Sequence, residues 1–155
     1  MNLSWYYWYF QSVVPEKICD DIVEYASTQK KQTGLTGNGL NNQPPTKKEL
    51  KNIQKKRKSD IVWLSEPWIY KEIQPYIHEA NKSADWNHQW DFTQACQFTE
   101  YKKGQHYDWH CDSDVLPYDR PNDANQNGKI RKLSMTLSLT DQSAYRGGDL
   151  EFDFR

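Results

Sequence analysis

Tyr101-Lys102-Lys103-Gly104-Gln105-His106-Tyr107-Asp108-Trp109-His110-Cys111-Asp112 is the stretch on which the reading of this chain turns. It ends with an imidazole and a carboxylate two positions apart. On a strand, residues i and i+2 project from one face, so His110 and Asp112 are expected side by side, within reach of a single metal ion. Such a pair supplies two donors of the 2-His-1-carboxylate triad, which leaves coordination positions open on iron(II). The plainer alternative is a strand histidine hydrogen-bonded to Asp112 or to backbone, since an H-x-D pair arises often by chance. The surroundings add weight. Tyr101 and Tyr107 flank a bend at Gly104, and Ser113 to Lys129 follows as a polar loop broken by Pro117, Pro121 and Gly128. Loops of that length are usually lids or disordered segments, and the position just after the pair favours a lid.

His106 and His110 also form H-x-x-x-H, which on a helix would place both imidazoles on one face, as in zinc hydrolases. Those sites need a general-base Glu after the first His, and here that position is Tyr107. Tyr107, Trp109 and the Gly104 bend suit a strand better, so zinc hydrolysis ranks below iron chemistry.

Towards the C-terminus, Leu133, Met135, Leu137 and Leu139 alternate with Ser134, Thr136, Ser138 and Thr140. The period of two predicts a strand with one apolar face and one small hydroxylated face. The hydroxyl face suits the lining of a polar cavity as well as it suits half exposure. After Gly147-Gly148, Leu150, Phe152 and Phe154 alternate with Asp149, Glu151 and Asp153, which predicts another strand.

Towards the N-terminus, the aromatic run Trp5 to Phe10 predicts a strand packed on the core. A base-stacking platform is the rival reading, but no Lys or Arg is interleaved. Pro15-Glu16 opens a helix whose apolar face is Ile18, Ile22, Tyr25 and Ala26, joined by Cys19. Residues 34–45 read as a loop. Residues 47–58 carry Lys47, Lys48, Lys51, Lys55, Lys56, Arg57 and Lys58 against Glu49. They read as a solvated helix touching the body through Leu50 and Ile53, with docking of an acidic partner or nucleic acid as the alternative. Ile61 to Leu64 reads as a strand, Pro67 to Ala80 as a helix with Ile69, Ile73, Tyr76 and Ile77 on one face, and Phe92 to Tyr101 as a strand. His78 falls beside that helix face and is given no role.

The 155 residues suit one domain. A mean hydropathy of −1.03 predicts a modest core that leans on 7 Trp, 10 Tyr and 5 Phe. A net charge of −1 sets up no global field to draw nucleic acid or an anionic membrane. No apolar run reaches the length of a membrane span and no secretory signal is apparent. Cys19, Cys96 and Cys111 are scattered and odd in number, which points to a reducing cytosol.

From Gln97 to Phe154 the chain resembles the 2-oxoglutarate- and iron(II)-dependent oxygenases of the prolyl 4-hydroxylase type. The resemblance rests on three blocks in order: Tyr101-x-x-Gly104-Gln105-x-Tyr107-x-x-His110-x-Asp112, Arg131 to Leu139, and Tyr145-Arg146-Gly147-Gly148-Asp149-Leu150-Glu151-Phe152. It extends more loosely to the N-terminal elements. It implies an α+β, mainly β fold, a double-stranded β-helix (jelly roll) with N-terminal supporting helices. On it, residues 1–155 form a single oxygenase domain, with 1–92 as helical support and 93–155 as the first strands of the jelly roll. It implies His110 and Asp112 as iron ligands, Tyr101 as a hydrogen-bond partner of 2-oxoglutarate, and Thr136 and Ser138 as pocket lining. Tyr107 and Arg131 match substrate contacts, and residues 113–130 match a mobile loop. The implied reaction hydroxylates a peptidyl proline or related residue, consuming O2 and 2-oxoglutarate and releasing succinate and CO2, with ascorbate as reductant. The implied partner is a peptide or protein containing proline.

The chain departs from that pattern in one respect. Its histidines are His78, His88, His106 and His110, and none follows Asp112. The third ligand, the basic partner of the 2-oxoglutarate carboxylate and the last strands are therefore expected beyond the 155 residues, in a longer protein. A non-catalytic jelly-roll interaction module is the second expectation. Completion of the site by His106 ranks last, because the resemblance puts it on the approach strand.

Overall fold

The computed structural model describes residues 2–35, 46–113 and 115–154. The loop expected over 34–45 lies, from residue 36, outside the described residues. In chain order the elements are α1 (Glu16–Thr28), β1 (Gln32–Thr33), α2 (Lys47–Lys56), β2 (Arg57–Lys58), β3 (Asp60–Leu64), α3 (Pro67–Ser83), β4 (Cys96–Glu100) and β5 (His106–Tyr107), with single 3-10 turns at Leu3–Trp5 and Gln142–Ala144. This is a mixed helix and sheet structure. β3 lies between β1 and β4 in one sheet, and β2 pairs antiparallel with β5 in a second.

The helices follow their apolar spacing. In α1, Ile22 and Ala26 are buried and Ile18, Cys19 and Tyr25 half-buried. In α3, Ile69 is buried and Ile73, Tyr76, Ile77 and Ala80 half-buried, with Pro67 in the first turn, where its missing N–H is not needed. α2 is solvated apart from Leu50, Ile53 and Gln54. Thr46 and Glu49 close its N-terminus as a capping box: the Glu49 backbone N–H donates to the Thr46 hydroxyl, and the Thr46 backbone N–H donates to the Glu49 carboxylate.

The chain divides into two compact units. The first comprises Met1–Glu24, Ser65–Cys96 and Cys111–Leu139; the second comprises Tyr25–Leu64, Gln97–His110 and Thr140–Arg155. In the first, Ile22, Ile69 and Ala84 are buried. Tyr76 donates to Val13 O at 2.8 Å and meets Phe10 in a tilted ring pair, centroids 5.6 Å apart, and Trp86 Nε1 donates to Ser4 O at 2.7 Å. These bonds satisfy the polar ends of large aromatics. In the second unit the core is Ala26, Ile61, Val62 and Leu64, with Arg57 and Ser59 buried beside them.

Four expected strands differ. Trp5 closes a 3-10 turn and residues 6–10 are not in a strand, and Trp5 and Tyr9 are largely exposed rather than core. Within 101–112 only His106–Tyr107 is strand, so His110 and Asp112 do not stand on one. Residues 133–140 and 149–154 join no ladder. A strand exists through hydrogen bonds to a neighbour, and alternation alone does not supply that neighbour. The burial pattern nevertheless follows the alternation: Leu133, Leu137 and Leu139 are half-buried while Ser134, Thr136 and Ser138 are exposed.

Candidate functional site

In the second unit, the stretch from Tyr101 to His110 is held by the backbone after α2. β2 and β5 pair Arg57 with Tyr107 and Lys58 with His106. His106 Nε2–H donates to Lys55 O at 3.0 Å, and Asp108 N–H donates to Lys56 O at 2.7 Å. Gly104 turns the chain into β5 with φ of 77°, a left-handed conformation that only glycine adopts without strain. His106 is therefore used for anchoring, not for an H-x-x-x-H site.

His110 lies flat on Tyr107, ring centroids 3.6 Å apart and planes 11° from parallel. Its Nδ1 is 2.8 Å from Asp108 O. A carbonyl can only accept, so Nδ1 carries the proton and, in the neutral ring, the lone pair is on Nε2. A backbone carbonyl in that role commonly orients a metal-ligating imidazole. The Arg57 guanidinium also lies over the Tyr107 ring, its Cζ 4.5 Å from the centroid. Tyr101 is half exposed. Burial raises its phenol above the ordinary value of 10.0, opposed by the positive charge of Arg57.

In the first unit, Ser134 Oγ donates to Asp112 Oδ2 at 2.5 Å, and Arg131 Nη1 donates to Asp112 O at 2.5 Å. Arg131 also grips Gln94 Oε1 through Nε at 3.0 Å and Nη2 at 2.7 Å. Both ends of Asp112 are thus positioned by neighbours on the segment that follows the loop. The loop itself is tied down: Tyr118 and Gly128 bond through their backbones, and Lys129 reaches Asp91 at 2.7 Å. Thr136 and Ser138 are exposed. A cleft of about 530 Å³ lined by Ser65, Tyr70, Gln74, Trp90 and Phe92 includes none of the expected site residues.

Of those residues, Tyr101, Tyr107 and His110 belong to the second unit, and Asp112, Arg131, Thr136 and Ser138 to the first. Among the described residues no group of three or more His, Cys, Asp or Glu is arranged to hold a metal ion. An imidazole and a carboxylate are the donor types that iron(II) takes; His110 and Asp112 supply one of each, and they lie in different units. Three roles escaped sequence reasoning. Spacing put Ser134 on the hydroxylated face but not beside Asp112, and no spacing rule marks Gln94. Arg57 was assigned to the solvated run 47–58, yet it is only 4% exposed. Its signal was the period-two step Arg57, Ser59 leading into β3, which points both side chains inward.

No curated protein and no solved structure matches the chain. Residues 96–154 match the family model of the 2OG-Fe(II) oxygenase superfamily. The segment that carries Tyr101, Tyr107, His110, Asp112 and Arg131 is therefore similar in sequence to the 2OG-Fe(II) oxygenase superfamily, over less than half of the chain.

Proposed function

We propose that this chain belongs to a 2-oxoglutarate- and iron(II)-dependent dioxygenase of the prolyl 4-hydroxylase type. In this reading it hydroxylates a peptidyl proline or a related residue and releases succinate and CO2. The observation that carries the reading is the family match over residues 96–154; within it His110 has its proton fixed on Nδ1, and Asp112 is held by Ser134 and Arg131.

His110 and Asp112 would hold iron(II), which when bound supplies the redox chemistry that activates O2. The chain's own residues position and exclude. Tyr107 supports the His110 ring. Tyr101 offers a phenol to 2-oxoglutarate, and Thr136 and Ser138 present small hydroxyls on the face expected to line its pocket. Arg131 sets the Asp112 backbone and, with Tyr107, receives the peptide. Residues 113–130 cover the substrate and keep out water. Ascorbate would keep the iron reduced. The fold in this reading is a jelly roll supported by residues 1–92, and the protein works in the cytosol. The basic run 47–58, apart from Arg57, is left to meet an acidic partner.

A second reading, a non-catalytic interaction module, is favoured by the lack of a three-donor group among the described residues. One experiment separates them: succinate formation from 2-oxoglutarate with iron(II), ascorbate and a proline-containing peptide, alongside metal binding by calorimetry. Turnover that His110→Ala abolishes supports the oxygenase. Absence of both turnover and metal binding supports the module and sinks the first reading.

A further inference from the structure

We propose that the Arg57 guanidinium is a carboxylate-binding group, whose Nη2 takes an oxygen of a small dicarboxylate in the second unit. Arg57 is 4% exposed, and Nη2 is buried with no hydrogen-bond partner among the described residues. Its other contacts are neutral. Nε donates to Ser59 Oγ at 3.0 Å, Nη1 is 3.4 Å from Gln97 Oε1, and the cation rests on the Tyr107 ring. An arginine cannot shed its charge by losing a proton, and a buried cation needs an anionic partner. A planar guanidinium is matched to a carboxylate.

The surroundings are built around this side chain. A Cβ on Gly34 would collide with Ser59 Oγ and stand 2.8 Å from Arg57 Nε, and Gly34 N–H donates to Ser59 O at 2.9 Å. Tyr101 lies close enough to sense the charge of Arg57, and its ring is half exposed. The carboxylate has two sources, 2-oxoglutarate or an acidic side chain of the substrate. Assignment to 2-oxoglutarate rests on the oxygenase reading; the carboxylate site does not.

The test uses the full chain, free of metal and labelled in its arginines. The side-chain Nε–H resonance of Arg57 is followed by NMR and identified by its loss in Arg57→Lys. Glutarate, 2-oxoglutarate, and a short peptide containing Glu-Pro are titrated in turn, with a Gln-Pro peptide as control. The expected result is a saturable shift with glutarate and 2-oxoglutarate. Calorimetry should then show affinity about tenfold weaker in Arg57→Gln and less weakened in Arg57→Lys. A shift with the Glu-Pro peptide alone keeps the carboxylate site but assigns it to the substrate. No shift with any of them at saturating concentration overturns the proposal, and because it is read on the wild-type chain it stands even where Arg57→Gln fails to fold. Ligand-induced shifts in the metal-free chain, with no succinate formed when iron(II) and ascorbate are then added, would retain the site and count against the oxygenase reading.

Discussion

At Gly34 the absence of one methyl group decides whether Arg57 can lie where it does. Gly34→Ala forces Arg57 and Ser59 apart, and overpacking of this kind costs about 1–3 kcal/mol. Urea denaturation should show that loss, with the Arg57 side-chain resonance displaced. Ser134 is the corresponding small residue beside Asp112. Ser134→Ala removes the hydroxyl bonded to Oδ2, and loss of such an outer partner is expected to weaken metal binding about 10–100-fold, as read by calorimetry with Mn(II). His110 and Asp112 were singled out by their spacing. Their supports were not, because Ser134, Arg131 and Gln94 are brought to Asp112 by folding across long stretches of chain.

Among the elements, α2 makes the clearest pH prediction. The Thr46 hydroxyl and backbone N–H bond the Glu49 carboxylate and hold its pKa below the ordinary 4.5. A lowered folded-state pKa means that the contribution is fully present above the ordinary value and is lost as pH falls through the lowered one. Hydrogen exchange should therefore report fraying of the first turn of α2 on acidification, and Glu49→Gln should remove that pH dependence. Thr46→Ala, which deletes the cap itself, should cost about 1 kcal/mol in chemical denaturation. The helices were readable because their apolar residues recur at the helical period and their partners are local. The strands were less so. Ile61 to Leu64 is a strand because β1 and β4 flank it, whereas Leu133 to Leu139, with a cleaner alternation, is not in a strand.

For the whole molecule, folding and ligand binding should be linked. The buried apolar residues described are few, so a ligand that binds only the folded state should move the thermal midpoint visibly. Metal and 2-oxoglutarate at about a hundred times their Kd should add about 2.7 kcal/mol. A thermal melt with Mn(II) and 2-oxoglutarate should shift upward, and chelation should reverse the shift. No shift with either component would count against the proposed function. No helix among the described residues is long and apolar enough to cross a membrane.

The sequence by itself determined what depends on near neighbours: three helices and their apolar faces, the strand at Ile61 to Leu64 and the bend at Gly104. It also carried the similarity of residues 96–154 to the oxygenase superfamily. Only the tertiary structure decided that His106 is an anchor, that His110 leans on Tyr107, that Asp112 is held by Ser134 and Arg131, and that Arg57 is buried. The physical reason is reach. Period and propensity act over a few residues, whereas burial of a guanidinium and pairing of a strand depend on groups that meet only when distant parts of the chain pack together.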